Sequence, residues 1–147
     1  MNQYATFPVE HITLSINCPA DKVYDYASNG ANLPQWASGL SKGVESFGHD
    51  WIADSPMGKV RVRFVEKNKL GVMDHFVTLP TGETFANPFR VIPNKSGCEL
   101  VFTLFRHEGM SDSAFDADRS TIKKDLQTLK FIIEGQQNSH QAHSSTF

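Results

Sequence analysis

Residues 12–29 read ITLSINCPADKVYDYASN, and a change of period inside this stretch sets the first corner of the fold. Ile12, Leu14 and Ile16 alternate with His11, Thr13 and Ser15, which predicts a half-buried first strand from about Val9. Cys18-Pro19 ends the alternation. Pro19 suits a first helical position, and Asp21 follows near the positive end of the helix dipole. Val23, Tyr24, Tyr26 and Ala27 then give a short amphipathic helix on which one of the two tyrosines is expected to face inward. Ser28-Asn29-Gly30 stops it. Leu33, Trp36 and Leu40 predict a second short helix between Ala31 and Leu40, interrupted at Pro34 and closed by Gly39. Neither helix is long enough to stand alone, so both must pack across the end of a sheet.

Outward from this corner, the chain from Lys42 to Arg106 reads as a meander of strands near 43–49, 51–55, 59–66, 71–79, 83–92 and 98–106. Turn formers separate them, including Pro56-Met57-Gly58, Pro80-Thr81-Gly82 and Pro93 to Gly97. Strands joined this closely must be antiparallel. Ser113 with Asp116 three residues later reads as a capping box. Behind it Phe115, Ile122, Leu126, Leu129 and Ile133 mark one stripe of a helix running to about Glu134-Gly135, roughly 30 Å. The expected architecture is α+β: a curved antiparallel sheet over a long C-terminal helix, with two short helices after the first strand. Residues 1–135 form the domain, and 136–147 read as a polar, disordered tail.

A single helix cannot fill the concave face of such a sheet, so an apolar cavity is expected between them. Period-2 alternation turns Val62, Phe64, Met73, His75, Val77, Phe85, Asn87, Phe89, Phe102, Leu104 and Arg106 toward it, with Ile122 and Leu126 from the helix. His75 is the best general acid or base in the chain if it faces inward onto the cavity; the other readings are a buried histidine hydrogen-bonded to its surroundings, or an outward one if the register slips. Arg106 is placed either to clamp an oxyanion or to pair with Glu108 or Asp112 at the sheet rim. Asn87 either orients a ligand carbonyl or belongs to a bulge or edge before Pro88. Trp36 and Trp51 read as core or as an aromatic wall.

Composition removes several function classes. The net charge is −2, which argues against a general nucleic-acid binder. The one basic stretch, Lys59, Arg61, Arg63, Lys67 and Lys69, has strand spacing at its start and reads as a solvent face. Phe occurs 11 times against 3 Tyr and 2 Trp, so bulky rings without polar tips dominate. Cys18 and Cys98 stand in no CxxC or His-rich context, and the first nine residues carry neither a basic segment nor an apolar run. From these a cytoplasmic protein with reduced thiols is expected. No stretch approaches the roughly 20 apolar residues of a membrane span. There is no phosphate-binding glycine loop, His-Glu-x-x-His motif or nucleophile elbow. Asp112, Asp116 and Asp118 fit helix-start decoration better than a calcium loop, and His140 with His143 lacks further ligands, so no metal or cofactor is expected.

The 12–29 stretch together with Asn32-Leu-Pro-Gln-Trp36 resembles the N-terminal signature of the START/Bet v 1-like superfamily, also called the polyketide cyclase/dehydrase and lipid-transport family. The resemblance implies the helix-grip fold, β-α-α-β₆-α, with an internal cavity, and it implies packing near the cavity mouth for Trp36. It carries over no catalytic residue. The leading expectation is a monomeric or homodimeric protein that binds a small hydrophobic or amphipathic molecule. A cyclase or dehydratase in which His75 moves the proton and Arg106 or Asn87 stabilises the oxyanion, and a protein-interaction module without a ligand, are the alternatives.

Overall fold

The computed structural model describes residues 5–144, with side chains through residue 136. Strand β1 (Val9–Ile16) leads into helix α1 (Ala20–Ala27), a one-turn helix α2 (Leu33–Trp36) and then seven further strands. These are β2 (Val44–Phe47), β3 (Asp50–Ser55), β4 (Gly58–Phe64), β5 (His75–Thr78), β6 (Thr84–Asn87), β7 (Phe89–Asn94) and β8 (Gly97–Phe105). Helix α3 (Asp112–Ser144) follows. All pairings are antiparallel, in a three-stranded ladder β1-β8-β7 and a five-stranded ladder β2-β3-β4-β5-β6.

The alternation in β1 and β8 survives intact: Ile12 pairs with Phe102 and Ile16 with Cys98, and all four are buried. The stripe on α3 seats Leu126, Leu129 and Ile133 in the same core as Val23, Ala27, Leu33 and Trp36. Val23 and Ala27 form the inner line of α1, so Tyr24 and Tyr26 flank it on either side. Both tyrosines, rather than one, pack against the core.

Local chemistry moved several boundaries. Pro19 is the N-cap of α1 and not its first helical residue, and its carbonyl accepts from the amides of Lys22 and Val23. Pro34 does not interrupt a helix but stands in the first turn of α2, where a missing N–H costs nothing. The cap of α3 is Ser111, whose hydroxyl accepts from the Ala114 amide at 3.1 Å, while Ser113 only meets the Ser111 hydroxyl. Helix α3 passes the expected stop at Glu134-Gly135, because Gly135 does not take the positive φ of a left-handed cap. The last three residues of the expected tail, 145–147, lie outside the described residues, as do the side chains of His140 and His143.

Two expected strands are each divided. Of 71–79 only His75–Thr78 is strand, and of 83–92 the halves fall into different ladders on either side of Pro88. Proline has no amide to donate, so the chain bends there. Residues 71–74 run along β7 as the seam: the Met73 amide donates to the Phe89 carbonyl, the Val91 amide donates to the Gly71 carbonyl, and Val72 bridges Arg90. Asp74 completes the seam by accepting from the Phe89 amide at 2.8 Å and from Arg90 Nε and Nη2 at 3.0 and 2.9 Å. Replacing Asp74 with alanine leaves the Phe89 amide without its acceptor and should cost about 3 kcal/mol of stability. Urea unfolding of Asp74→Ala with an unchanged midpoint would contradict this role.

Candidate functional site

Where β5, β6 and the end of β8 lean away from the first turns of α3, they enclose a hollow of about 420 Å³. Its apolar wall comes from Val77, Leu79, Phe85, Phe102, Leu104 and Ile122. Asn87 on the edge strand β6 lies at its side, while Asp118 and Thr121 contribute polar atoms from α3. His107, from the loop after β8, closes one end and packs on Phe85 with ring centroids 5.0 Å apart. Asp118 is exposed as a whole residue, yet the walls around its carboxyl withdraw enough water to raise its pKa above the ordinary value.

Six residues expected at a cavity therefore meet in one hollow: Val77, Phe85, Asn87, Phe102, Leu104 and Ile122. The others went elsewhere. Val62, Met73 and Leu126 are buried in the core. Phe64, His75, Phe89 and Trp36 belong to a layer of rings between the sheet and the helices. In that layer His75 lies 5.0 Å from Phe64, 6.3 Å from Phe89 and 6.2 Å from Phe102, and Trp36 lies 6.0 Å from Phe89. Trp36 is buried and lines no part of this hollow, and its indole N–H has no partner among the described residues. Arg106 does not reach in as a clamp. It forms an ion pair with Asp112 at 2.6 Å and donates from Nε and Nη2 to the Met110 carbonyl.

His75 is fixed as a neutral ring. Its Nδ1 lies 3.1 Å from the Met73 carbonyl oxygen, which can only accept, so Nδ1 carries the hydrogen and Nε2 the lone pair. Burial pushes its pKa below the ordinary 6.5, against smaller opposing effects of the Met73 carbonyl and Asp74. Sequence reasoning missed His107, Met110, Asp118 and Thr121 as wall residues. All four come from the loop after β8 or the flank of α3, beyond the reach of strand alternation. The 3- and 4-residue spacing of Asp118, Thr121 and Ile122 does mark one side of a helix.

No protein-family model matches the sequence, and comparison with curated proteins finds no match. Solved structures do match in shape. A START superfamily protein from Mycobacterium smegmatis aligns with TM-score 0.62 at 14% identity, over 86% of this chain and 97% of its own. Ara h 8.0201 aligns with TM-score 0.64 at 11% identity, over 87% and 98%. DynU16, of the dynemicin biosynthetic locus, aligns with TM-score 0.66 at 12% identity, over 86% of this chain and 47% of its own. The chain has the helix-grip fold of START/Bet v 1-like proteins. At these identities the likeness is one of fold. Among the described residues no helix is long and apolar enough to cross a membrane, and no group of three or more His, Cys, Asp or Glu is placed to hold a metal ion.

The depressed pKa of His75 has a direct consequence for stability. Below about pH 6.5 the unfolded chain protonates this side chain while the folded protein does not, so the unfolded state binds more protons. Stability should decline as pH falls through that value toward the folded pKa. Denaturant unfolding between about pH 7.5 and about pH 5.5 should show a smaller decline in His75→Gln, whose amide can still donate to Met73. Identical pH slopes in both proteins would remove His75 from this account.

Proposed function

We propose that the protein binds a small apolar or amphipathic molecule in the hollow between β5–β6, the end of β8 and the first turns of α3. The observation that carries this reading is the character of the hollow: about 420 Å³ of largely apolar space with a few polar groups at its margin. Small-molecule sites have this size and this balance. Phe85, Phe102 and Leu104 supply apolar contact area, worth roughly 25 cal/mol for each Å² removed from water. Asn87, Thr121 and Asp118 are the groups available to orient a polar end.

The cyclase or dehydratase alternative draws less support. It needs at least two of His75, Arg106 and Asn87 to converge on one substrate, and of the three only Asn87 lines the hollow. An interaction module without a ligand is favoured by no particular feature of this site.

Native mass spectrometry after incubation with a library of lipids and aromatic polyketides tests the proposal. Thr121 is exposed at the margin of the hollow, so Thr121→Trp should plug it without disturbing the core. The wild-type protein should take up a defined apolar molecule, and the variant should bind it at least about tenfold more weakly, about 1.4 kcal/mol, with an unchanged melting temperature. Equal uptake by a folded Thr121→Trp variant would place the ligand elsewhere.

A further inference from the structure

A second hollow, of about 560 Å³, lies at the opposite side of the ring layer, where the end of α1 faces the β2–β3 turn and the chain leaving β4. Its walls carry four rings, those of Tyr24, His49, Trp51 and Phe64. Trp51 lies so close against Gly30 that a methyl group there would overlap the indole. Phe64 closes the inner end, where it also packs on His75, and Tyr24 is held by an Asn68 amide that donates to its hydroxyl at 3.0 Å.

The same hollow receives two members of the basic stretch of the sequence, Arg63 and Lys67. Residues 59–69 carry Lys59, Arg61, Arg63, Lys67 and Lys69 against one acid, Glu66, in a chain whose net charge is −2. Lys59 and Arg61 stay on the outer face of β4, as their spacing implies, and pair with Asp54 and Asp50. Lys67 differs. Its ammonium stands 5.8 Å over the Tyr24 ring, and it has no carboxylate partner among the described residues. Arg63 borders the hollow with its Nε tied to Asp50 at 2.5 Å, and Asp50 is only 3% exposed. A buried carboxylate keeps its counter-charge, so the guanidinium is anchored through Nε. Its two terminal amino groups make no hydrogen bond with the described residues.

We propose that this second hollow binds a small aromatic anion, with Lys67 and the free end of Arg63 meeting its carboxylate or phosphate while Tyr24, Trp51 and Phe64 flank its ring. An anchored guanidinium offers two donors to an oxyanion, and the Lys67 ammonium supplies a second positive charge in the lining of the same hollow. The rings exclude water from one side of the ligand, which strengthens both contacts. Glu66 on the rim repels an anion that approaches from its own side, which leaves the Arg63 side as the favoured seat of the charge. The proposal stands whether or not the first hollow takes a ligand.

Phenyl phosphate is the probe, titrated into the intact protein and followed by amide and indole NMR shifts. It should move the Trp51 indole and the Gly30 amide in a saturable way, with benzyl alcohol and inorganic phosphate each at least about tenfold weaker. Lys67→Gln should weaken phenyl phosphate by about tenfold, the scale of one charge-assisted hydrogen bond. Arg63→Gln should do the same. If Arg63→Gln fails to fold because Asp50 loses one of its two arginine partners, Lys67→Gln decides. Shifts confined to His107 and Thr121 would mean that the probe enters the first hollow, and would overturn the proposal while leaving the first reading intact. Unchanged affinity in a folded Lys67→Gln variant would also overturn it, as would inorganic phosphate binding as tightly as phenyl phosphate.

Discussion

The carboxylate of Asp74 holds the sheet together at the one place where its ladder breaks. Strands β6 and β7 belong to different ladders because Pro88, between them, has no amide to give. Something must then satisfy the amide of Phe89 and fix the direction of β7, and Asp74 does both by accepting from that amide and from two nitrogens of Arg90. Partial burial opposes the charged form of Asp74. The Arg90 and Phe89 bonds outweigh that, and the carboxyl titrates below its usual range. The ring layer depends on this seam, since the neighbours of Asp74 in sequence are Met73, whose carbonyl fixes the His75 ring, and His75 itself.

From the seam the ring layer follows. Phe89 is fully buried, and Trp36, His75 and Phe102 pack around it from α2, β5 and β8. Phe64 extends the layer on the far side of His75. A charged imidazole could not remain in such surroundings without a buried counter-ion, and the neighbouring carboxylate of Asp74 is already engaged by Arg90. The neutral ring is therefore part of the packing, and the layer lies between the two hollows. Phe64 lines one of them and Phe102 the other.

Most of the fold was legible because its periods are clean. Ile12 and Ile16 are buried on the inward face that alternation gave them, and the helical line of Leu126, Leu129 and Ile133 is buried as its spacing implied. What was not legible concerns breaks and partners. Val72 and Met73 read as continuous strand because residues buried at a seam are as apolar as residues in a ladder. Pro88 read as a bulge or edge inside a single strand 83–92, and not as its division, because proline at an edge and proline at a bend between ladders look alike in sequence. For the site, alternation told inward from outward and nothing finer. It could not separate Phe89, which fills the interior, from Phe85, which faces the hollow, since that depends on how far the helix stands from each strand.

The placement of the hollows has a physical logic. Helices α1 and α2 are too short to be stable alone, so they need dense packing against the sheet. Burying one Phe side chain contributes about 1.5–3 kcal/mol, and the ring layer supplies several such contributions near the centre of the molecule. Rings that stabilise the centre also occupy it. Open space is then left where long helix and sheet diverge, toward Phe85 and Thr121, and where α1 ends opposite the β2–β3 turn, toward Trp51 and Lys67. Both places lie at the margin, within reach of charged side chains that the centre could not accommodate.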